Sequence, residues 1–554
     1  MLVWLGLLAR AEEPDAVMDA LRTELDRTTR TLQGEDAPYF LGYRLTESTR
    51  FGLDARYGQL SDPVEPAGRR NRQLDVVARV GSPHRDSTHA VRGAFAFDPN
   101  IHLGKPLPLD DDPMAMRVEI WNATGKEVRD ARERWQRVKA NQVVMVADED
   151  PSADFSEVER VVDVRPLASM ELDLQAWVPV VTELSAILDD DPQVHRSSVM
   201  LDGVATNTWI VTSEGTSIRQ PRTWARIALQ ASSRAEDGTM VRLYRWKDVA
   251  DPADLPDADT LRVWATDLRD DLLEMREAPS GDAYSGPVLL EGSAAGVFVH
   301  EVLGHRVEGH RQKDEDEGHT FRDKVGQRIL PPFVDIVDDP TLAEWEGLPL
   351  NGHYAYDEEG VPAQRAVLVE DGVFQGFLMS RSPIEGFAQS NGHGRAQPWR
   401  QPVSRMANTI VSTSEPHRRE ELRRMLIAEA KRQGRPFGLI VEDIEGGFTL
   451  TGRVYPNAFN VRAVTAWKVY ADGRPDERVR NIDLVGTPLV ALQNVMALGD
   501  DPAVFNGFCG AESGMVPNAA VSPSMLLRTL EVQKKEKDSE RPPILPKPVE
   551  GGDT

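Results

Sequence analysis

One cysteine, Cys509, is all that 554 residues contain. No intramolecular disulfide can form, so the fold must be held by its core. The absence of a CxxC pair removes dithiol redox chemistry as well. Basic charge is also scarce, with 64 Lys and Arg against 89 Asp and Glu and a formal net charge of -25. A polyanion without a long basic run repels phosphate backbones, and nucleic acid is not expected as a ligand. No apolar stretch reaches the roughly 20 residues that cross a bilayer as a helix, so no membrane span is expected. A GxSxG elbow, a Walker-type phosphate loop and any short-period repeat are missing too, which leaves their mechanisms and architectures unsupported.

What is there suits a globular protein: 40% hydrophobic and 28% charged residues, in a length that favours two or three domains. The first eleven residues, MLVWLGLLARA, form a signal-like segment, with the apolar run Leu2 to Leu8 and the small-x-small Ala9-Arg10-Ala11. They read as an export signal lacking a basic leader, or as a hydrophobic start to the first helix. Residues 12–147 are expected to form an N-terminal α/β region. It holds an amphipathic helix over 14–33, strand-like runs at Tyr39–Leu45, Arg50–Leu60 and Gln73–Val80, and a second helix face at Val128, Ala131, Trp135 and Val138. The acidic run 148–157, containing Pro151, is a linker.

Residues 158–280 form a middle α/β region. A helical run near Leu172–Leu188 is interrupted or bent at Pro179. An antiparallel meander follows, turning at Asp202-Gly203, Glu214-Gly215 and Asp237-Gly238. The stripe Leu261, Trp264, Leu268, Leu272 and Met275 closes it as a helix. Residues 285–533 are strand-rich and Gly-turned, with one clear helix around Glu420–Arg432. The charged, Pro-rich tail 534–554 is expected to be disordered.

The chemistry concentrates in His300-Glu301-Val302-Leu303-Gly304-His305. Two imidazoles and a carboxylate are the parts of a hydrolytic metal site: the histidines bind the ion, the ion acidifies a water, and the glutamate takes the proton. The histidines are five apart, not four. Five residues turn a regular helix by about 500°, leaving the side chains ~140° apart. Either a π-bulge restores a common face, or the helix ends near Gly304 and His305 comes from a turn. A third ligand is required, with Glu308, His310, His319 and Cys509 as candidates, and spacing does not choose among them. His353 and His393 sit in Gly-rich loops. The 380–405 stretch gathers Arg381, His393, Arg395 and Arg405, a loop suited to binding a peptide carboxylate or backbone.

Several segments, in order, resemble the TldD/PmbA peptidases: GPVLLEGSAAGVFVHEVLGHRVEGHR at 286–311, TNTWIVTSEGTSIRQPRTWARIALQA at 206–231, GFLMSRSPIEGFAQSNGHGRAQ at 376–397, VSRMANT at 403–409 and GFCG at 507–510. The resemblance spans roughly residues 160–533. It implies zinc held by His300, His305 and Cys509, with Glu301 as catalytic base. It also implies an active site enclosed at a subunit interface that admits unfolded peptides through backbone pairing. The partner implied is a second copy or a related PmbA/TldE-like subunit; in such pairs one subunit keeps the motif and the other is a scaffold. After the cysteine the family reads like CGKxGQ, whereas this chain has CGAESG and lacks the lysine.

The sequence therefore predicts an α/β (α+β) protein, an N-terminal α/β region followed by a strand-rich, mostly antiparallel C-terminal region carrying the HExxxH helix. The expected function is a zinc metallopeptidase acting on unfolded or short peptides. His393 and Arg395 are added as substrate-binding candidates. A catalytically silent scaffold subunit is the alternative. The resemblance implies a cytoplasmic protein; an export signal at 1–11 would make it periplasmic or secreted.

Overall fold

The computed structural model describes residues 15–91, 104–142, 150–453 and 458–534. The signal-like segment 1–11 and the tail from 535 lie outside these residues, as do 148–149 of the acidic linker. Helix α1 (Ala16–Thr31) starts where the Asp15 carboxylate accepts from the Met18 backbone N–H, and it buries Val17, Leu21 and Leu25. Helix α2 (Pro113–Gln142) opens on the proline suited to a first helical position. Helices α3 (Leu174–Asp189) and α4 (Ala258–Glu277) are each capped by an aspartate, Asp173 and Asp257. Pro179 sits inside α3, and the helix runs through it.

These four helices cover one face of a long antiparallel sheet. Its strands are β1 (Pro38–Arg56), β2 (Arg69–Val80), β3 (Arg196–Thr212), β4 (Ser217–Arg234) and β5 (Met240–Val249), in the order β2-β1-β3-β4-β5. Alternation along the strands decides what each face carries. Leu41, Tyr43 and Trp209 pack under α1 and α2, and Val199, Leu201, Ile227 and Leu229 pack under α3 and α4. Met200, Arg226, Ala228, Gln230, Tyr244 and Trp246 therefore point to the other face.

Three features differ from what the sequence predicts. The runs at 39–45 and 50–60 are one strand, β1, which turns at Tyr57-Gly58 with φ of 53° and 74°. Asp202-Gly203 is no turn but the middle of β3; a Cβ on Gly203 would lie 2.8 Å from Met170 Sδ and 2.9 Å from Leu172 Cδ2, so the glycine makes room for a crossing segment. The supposed N-terminal and middle regions also share this sheet, since β1 pairs with β3 from Gly42↔Thr212 to Ala55↔Val199.

The C-terminal half holds two further sheets. Strands β6 (Tyr284–Leu290), β10 (Phe437–Thr449), β11 (Phe459–Tyr470), β12 (Ile482–Gly486) and β15 (Met525–Lys534) pair in a closed ring, β6-β10-β11-β12-β15-β6, with β6–β10 its one parallel pair. Helix α6 (Arg419–Arg432) packs Leu422 and Leu426 against Leu289, Ile440 and Leu526 of this ring. The second sheet runs β8-β7-β9-β14-β13, built from β7 (Val334–Asp338), β8 (Ala366–Glu370), β9 (Asn408–Thr413), β13 (Ala503–Ala511) and β14 (Gly514–Ser522). Strand β13 is its edge. Helix α5 (Gly292–Val302) lies between ring and sheet. Among the described residues no helix is long and apolar enough to cross a membrane.

Candidate metal centre

The small-residue run before the first histidine lets α5 sit close to the edge sheet. A Cβ on Gly292 would stand 2.6 Å from the Ser522 carbonyl oxygen, and one on Gly296 would be 3.0 Å from Ala520 Cβ. On the other side Phe298 meets Phe459 of the ring edge-on, with centroids 5.5 Å apart. α5 ends at Val302, and Gly304–Arg306 forms a separate 3-10 turn. Of the two ways to bring His305 to His300, the structure uses the second: the helix stops and the turn delivers the side chain. Gly304 allows it, because a Cβ there would fall 2.0 Å from Met406 Sδ.

His300, His305 and Cys509 offer donor atoms that all lie within 4.8 Å of one another, and all three residues are buried. The two imidazole planes stand at 88° with centroids 5.0 Å apart, and Cys509 Sγ is 3.3 Å from His305 Nε2. His305 Nδ1 donates to the Glu308 carboxylate at 3.3 Å, which leaves the Nε2 lone pair facing the sulfur. Glu308 is itself held by Arg311 Nε at 2.8 Å and Arg405 Nε at 3.1 Å. Arg405 also donates to the Cys509 carbonyl at 2.8 Å, tying both ends of the cluster together. His300 Nδ1 meets the Asn518 side-chain amide at 3.1 Å. The amide nitrogen Nδ2 is the atom placed there; exchanging the amide oxygen and nitrogen would let Nδ1–H donate and leave the other ring nitrogen as a ligand.

The electrostatics follow from packing three such groups together. Burial opposes a Cys509 thiolate, but the His305 and His300 imidazoles more than offset it and hold the thiol well below its ordinary range. Burial likewise opposes a charged His305, and Cys509 and Glu308 outweigh it. Glu308 is buried, yet His305 and Arg311 bring its carboxyl down to about 2. A deprotonated thiol beside two imidazoles is the donor chemistry of a borderline-soft metal ion.

Glu301 lines the same cavity. It is buried, and among the described residues its Oε2 has no hydrogen-bond partner. Burial raises its pKa above the ordinary glutamate value, against the pull of His300 and His305. Gly447 of β10 makes room for it: a Cβ there would lie 2.6 Å from Glu301 Cγ and 3.0 Å from Cδ. Arg306 donates to the Glu301 carbonyl at 2.9 Å and reaches Thr449 and Leu450, fastening α5 to the outer part of β10.

The cavity measures about 610 Å³. One wall is the free face of the long sheet, with Arg226, Tyr244 and Trp246; the other is α5, the outer part of β10 and the edge strand β13. The other sequence candidates go elsewhere. Glu308 orients His305, His310 pairs with Glu512, and His319 Nε2 faces the Asp314 carbonyl at 2.8 Å. His393 and Arg395, expected at a substrate, do not line the cavity. His393 is fully buried, 3.2 Å from Asp338, and Arg395 donates to the Met406 and Pro517 carbonyls at 2.7 and 2.8 Å. Both brace the loops behind the site, as does Arg381 through Glu214 and the Ser156 carbonyl. In the segment CGAESG, Glu512 accepts from Arg311 at 2.9 Å and Ser513 from Arg405 at 2.8 Å, so the residues that depart from the family pattern bind the cluster's own arginines. Asn518 and Gly447 carried no signal in the sequence, as neither stands in a motif.

Residues 283–534 match the family model described as the PmbA/TldA metallopeptidase C-terminal domain. A protein of Archaeoglobus fulgidus named a metalloprotease is 33% identical over 251 residues, 45% of this chain and 53% of that one. A zinc metalloprotease TldD homolog of Saccharolobus solfataricus is 24% identical over 248 residues, 44% of this chain and 51% of that one. The chain spans about half the length of these curated relatives. The solved structure of TldE from Thermococcus kodakarensis superposes over 93% of this chain and 100% of its own, with a TM-score of 0.60 at 15% identity, a likeness of fold. The C-terminal part of the chain, residues 283–534, is thus similar to the metallopeptidase domain of the PmbA/TldD family from its first strand to its last, and the relatives that it matches are named metalloproteases.

Proposed function

We propose that the chain is a zinc-dependent metallopeptidase, with His300, His305 and Cys509 as metal ligands and Glu301 as general base. The observation that carries this reading is the meeting of three donor atoms within 4.8 Å in the cavity that also holds a buried carboxylate oxygen without a partner. Two imidazoles and a thiolate would supply three protein ligands to a zinc ion, the number that catalytic zinc sites use. Zinc held there supplies a Lewis acid that polarises a peptide carbonyl and acidifies water. Glu301 takes the water's proton and returns it to the leaving amine, a role its burial favours by raising its pKa toward the working range. Glu308 and Asn518 fix the ring orientations, and Arg405 steadies Glu308 and the Cys509 backbone together.

The substrate class follows from the walls. Strand β13 has β14 on one side and no paired strand on the other among the described residues. Its free N–H and C=O groups suit an extended, unfolded peptide. The family resemblance adds a second subunit, either another copy or a TldE-like chain. A silent scaffold role is disfavoured by retention of every ligand and the base. Localisation is proposed to be cytoplasmic by the same resemblance; intact mass of the protein from its native cells, short of residues 1–11, would reverse that.

The deciding experiment is elemental analysis of the purified wild type beside Cys509→Ala. About one zinc per chain, sharply reduced in the variant, is the expected result. A wild type that takes up no zinc after reconstitution would sink the reading and leave the scaffold role.

A further inference from the structure

Among the described residues two phenylalanines alone are exposed, Phe448 at 48% and Phe508 at 44%, and both line the cavity. Large apolar rings left open inside a concave site mark a surface meant to be covered. Their places in the chain tie them to the reacting groups. Phe508 immediately precedes the ligand Cys509 on β13, and Phe448 immediately follows Gly447, the residue that makes room for Glu301. Successive residues of a strand face opposite ways, so Phe508 turns from the metal cluster toward the long sheet. There it meets Trp224 edge-on, with centroids 5.7 Å apart at 89°.

The setting of Phe508 is built rather than incidental. The Arg226 guanidinium lies 5.7 Å from its ring centroid, 5.3 Å from that of Trp224 and 5.8 Å from that of Trp246. Arg226 is neutralised by Asp248, which accepts two hydrogen bonds at 2.6 and 2.7 Å. A guanidinium held in this way presents its plane as a stacking surface and not as a free charge. The wall is therefore aromatic in character, although the chain as a whole is strongly acidic.

Building on the metallopeptidase reading, we propose that Phe448 and Phe508 are specificity residues that grip bulky apolar side chains flanking the bond to be cut. The preferred substrates are then unfolded segments rich in aromatic and branched aliphatic residues, the kind of segment that a folded protein keeps inside. Phe508 works with Trp224 and Arg226, while Phe448 works beside the base.

The test is binding to the zinc-loaded, full-length Glu301→Gln chain, which holds a peptide without cutting it. Two labelled peptides of equal length, one with Phe and Leu at alternate positions and one with Ser and Gly there, are compared by fluorescence anisotropy. The apolar peptide should bind at least about tenfold more tightly. Adding Phe448→Ala or Phe508→Ala should shrink that ratio several-fold, with zinc content and melting temperature unchanged. Leucine at either position keeps apolar surface and should retain most of the ratio, which guards against an alanine variant that fails to fold. Equal affinity for the two peptides, a ratio indifferent to both alanine substitutions, or leucine variants as weak as alanine would overturn the proposal. So would alanine variants that keep the ratio but dissociate in sedimentation, since the rings would then be a subunit contact. Failure of the wild type to cleave either peptide would count against peptidase activity alone, because the binding ratio is read without turnover.

Discussion

Glu301 shows how one side chain gains its chemistry from its surroundings. It is buried, lacks a partner at Oε2 among the described residues and carries a raised pKa because of that burial. Replacing it with glutamine should lower kcat/KM by about 10²–10⁴-fold while zinc content is unchanged, as measured by peptide cleavage and elemental analysis. The base works only as carboxylate, so wild-type kcat/KM should fall as pH drops through the Glu301 pKa. Burial raises that carboxyl in the metal-free chain while a bound zinc ion pulls it down, so the test is the loss of the acid limb from the residual activity of Glu301→Gln. Gly447→Ala tests the same side chain from the other direction. Its Cβ would press on Glu301 Cγ at 2.6 Å, so activity should fall at least about tenfold with zinc retained. The sequence made His300, Glu301 and His305 legible, since pattern and chemistry coincide in six residues. It could not choose among Glu308, His310, His319 and Cys509 by spacing, because the sulfur comes from a strand some two hundred positions away. His393 and Arg395 misled for a related reason: polar residues among glycines look the same whether they meet a substrate or brace a loop.

At the scale of elements, the close seat of α5 governs the site. Glycines at 292 and 296 bring the helix onto β14, and Gly304 lets the following turn pass Met406. Gly304→Ala should destabilise the protein by about 1–3 kcal/mol in denaturant unfolding, and Met406→Ala in the same chain should recover part of the loss. No recovery would mean that the crowding at Met406 is not the cause. The end of α5 at Val302 also explains why the five-residue spacing was ambiguous. A π-bulge and a helix stop both carry His305 round, and only the packing beyond the helix distinguishes them. Elsewhere, turn dipeptides marked the meander, but Asp202-Gly203 read as a turn because a glycine needed for a crossing segment has the same letters as one needed for a positive φ. Glu214-Gly215 and Asp237-Gly238 do turn, with φ of 94° and 84° at their glycines.

For the molecule as a whole, metal binding and stability should be coupled. A ligand that binds the folded state alone stabilises it in proportion to its occupancy, and a cluster containing a thiolate and two imidazoles exists in the folded chain only. Chelation of the wild type should therefore lower Tm by several degrees, and Cys509→Ala should start low and not respond. Equal Tm with and without chelator would indicate that the cluster holds no ion. The class of the fold was legible in the sequence, but the joining of residues 38–80 and 196–249 in one sheet was not, because strand pairing at that distance leaves no local mark.

The cavity has two walls of different origin. Its chemistry sits within residues 283–534, the part matched to the family domain, whereas Arg226, Tyr244 and Trp246 come from the sheet that precedes it. On the proposed reading the reacting groups belong to the later stretch alone, whereas the grip on the substrate is shared, Phe448 and Phe508 coming from the later stretch and Trp224 and Arg226 from the earlier one. A chimera that keeps the later stretch and borrows the earlier one from a relative should cut by the same chemistry with a different taste in peptides.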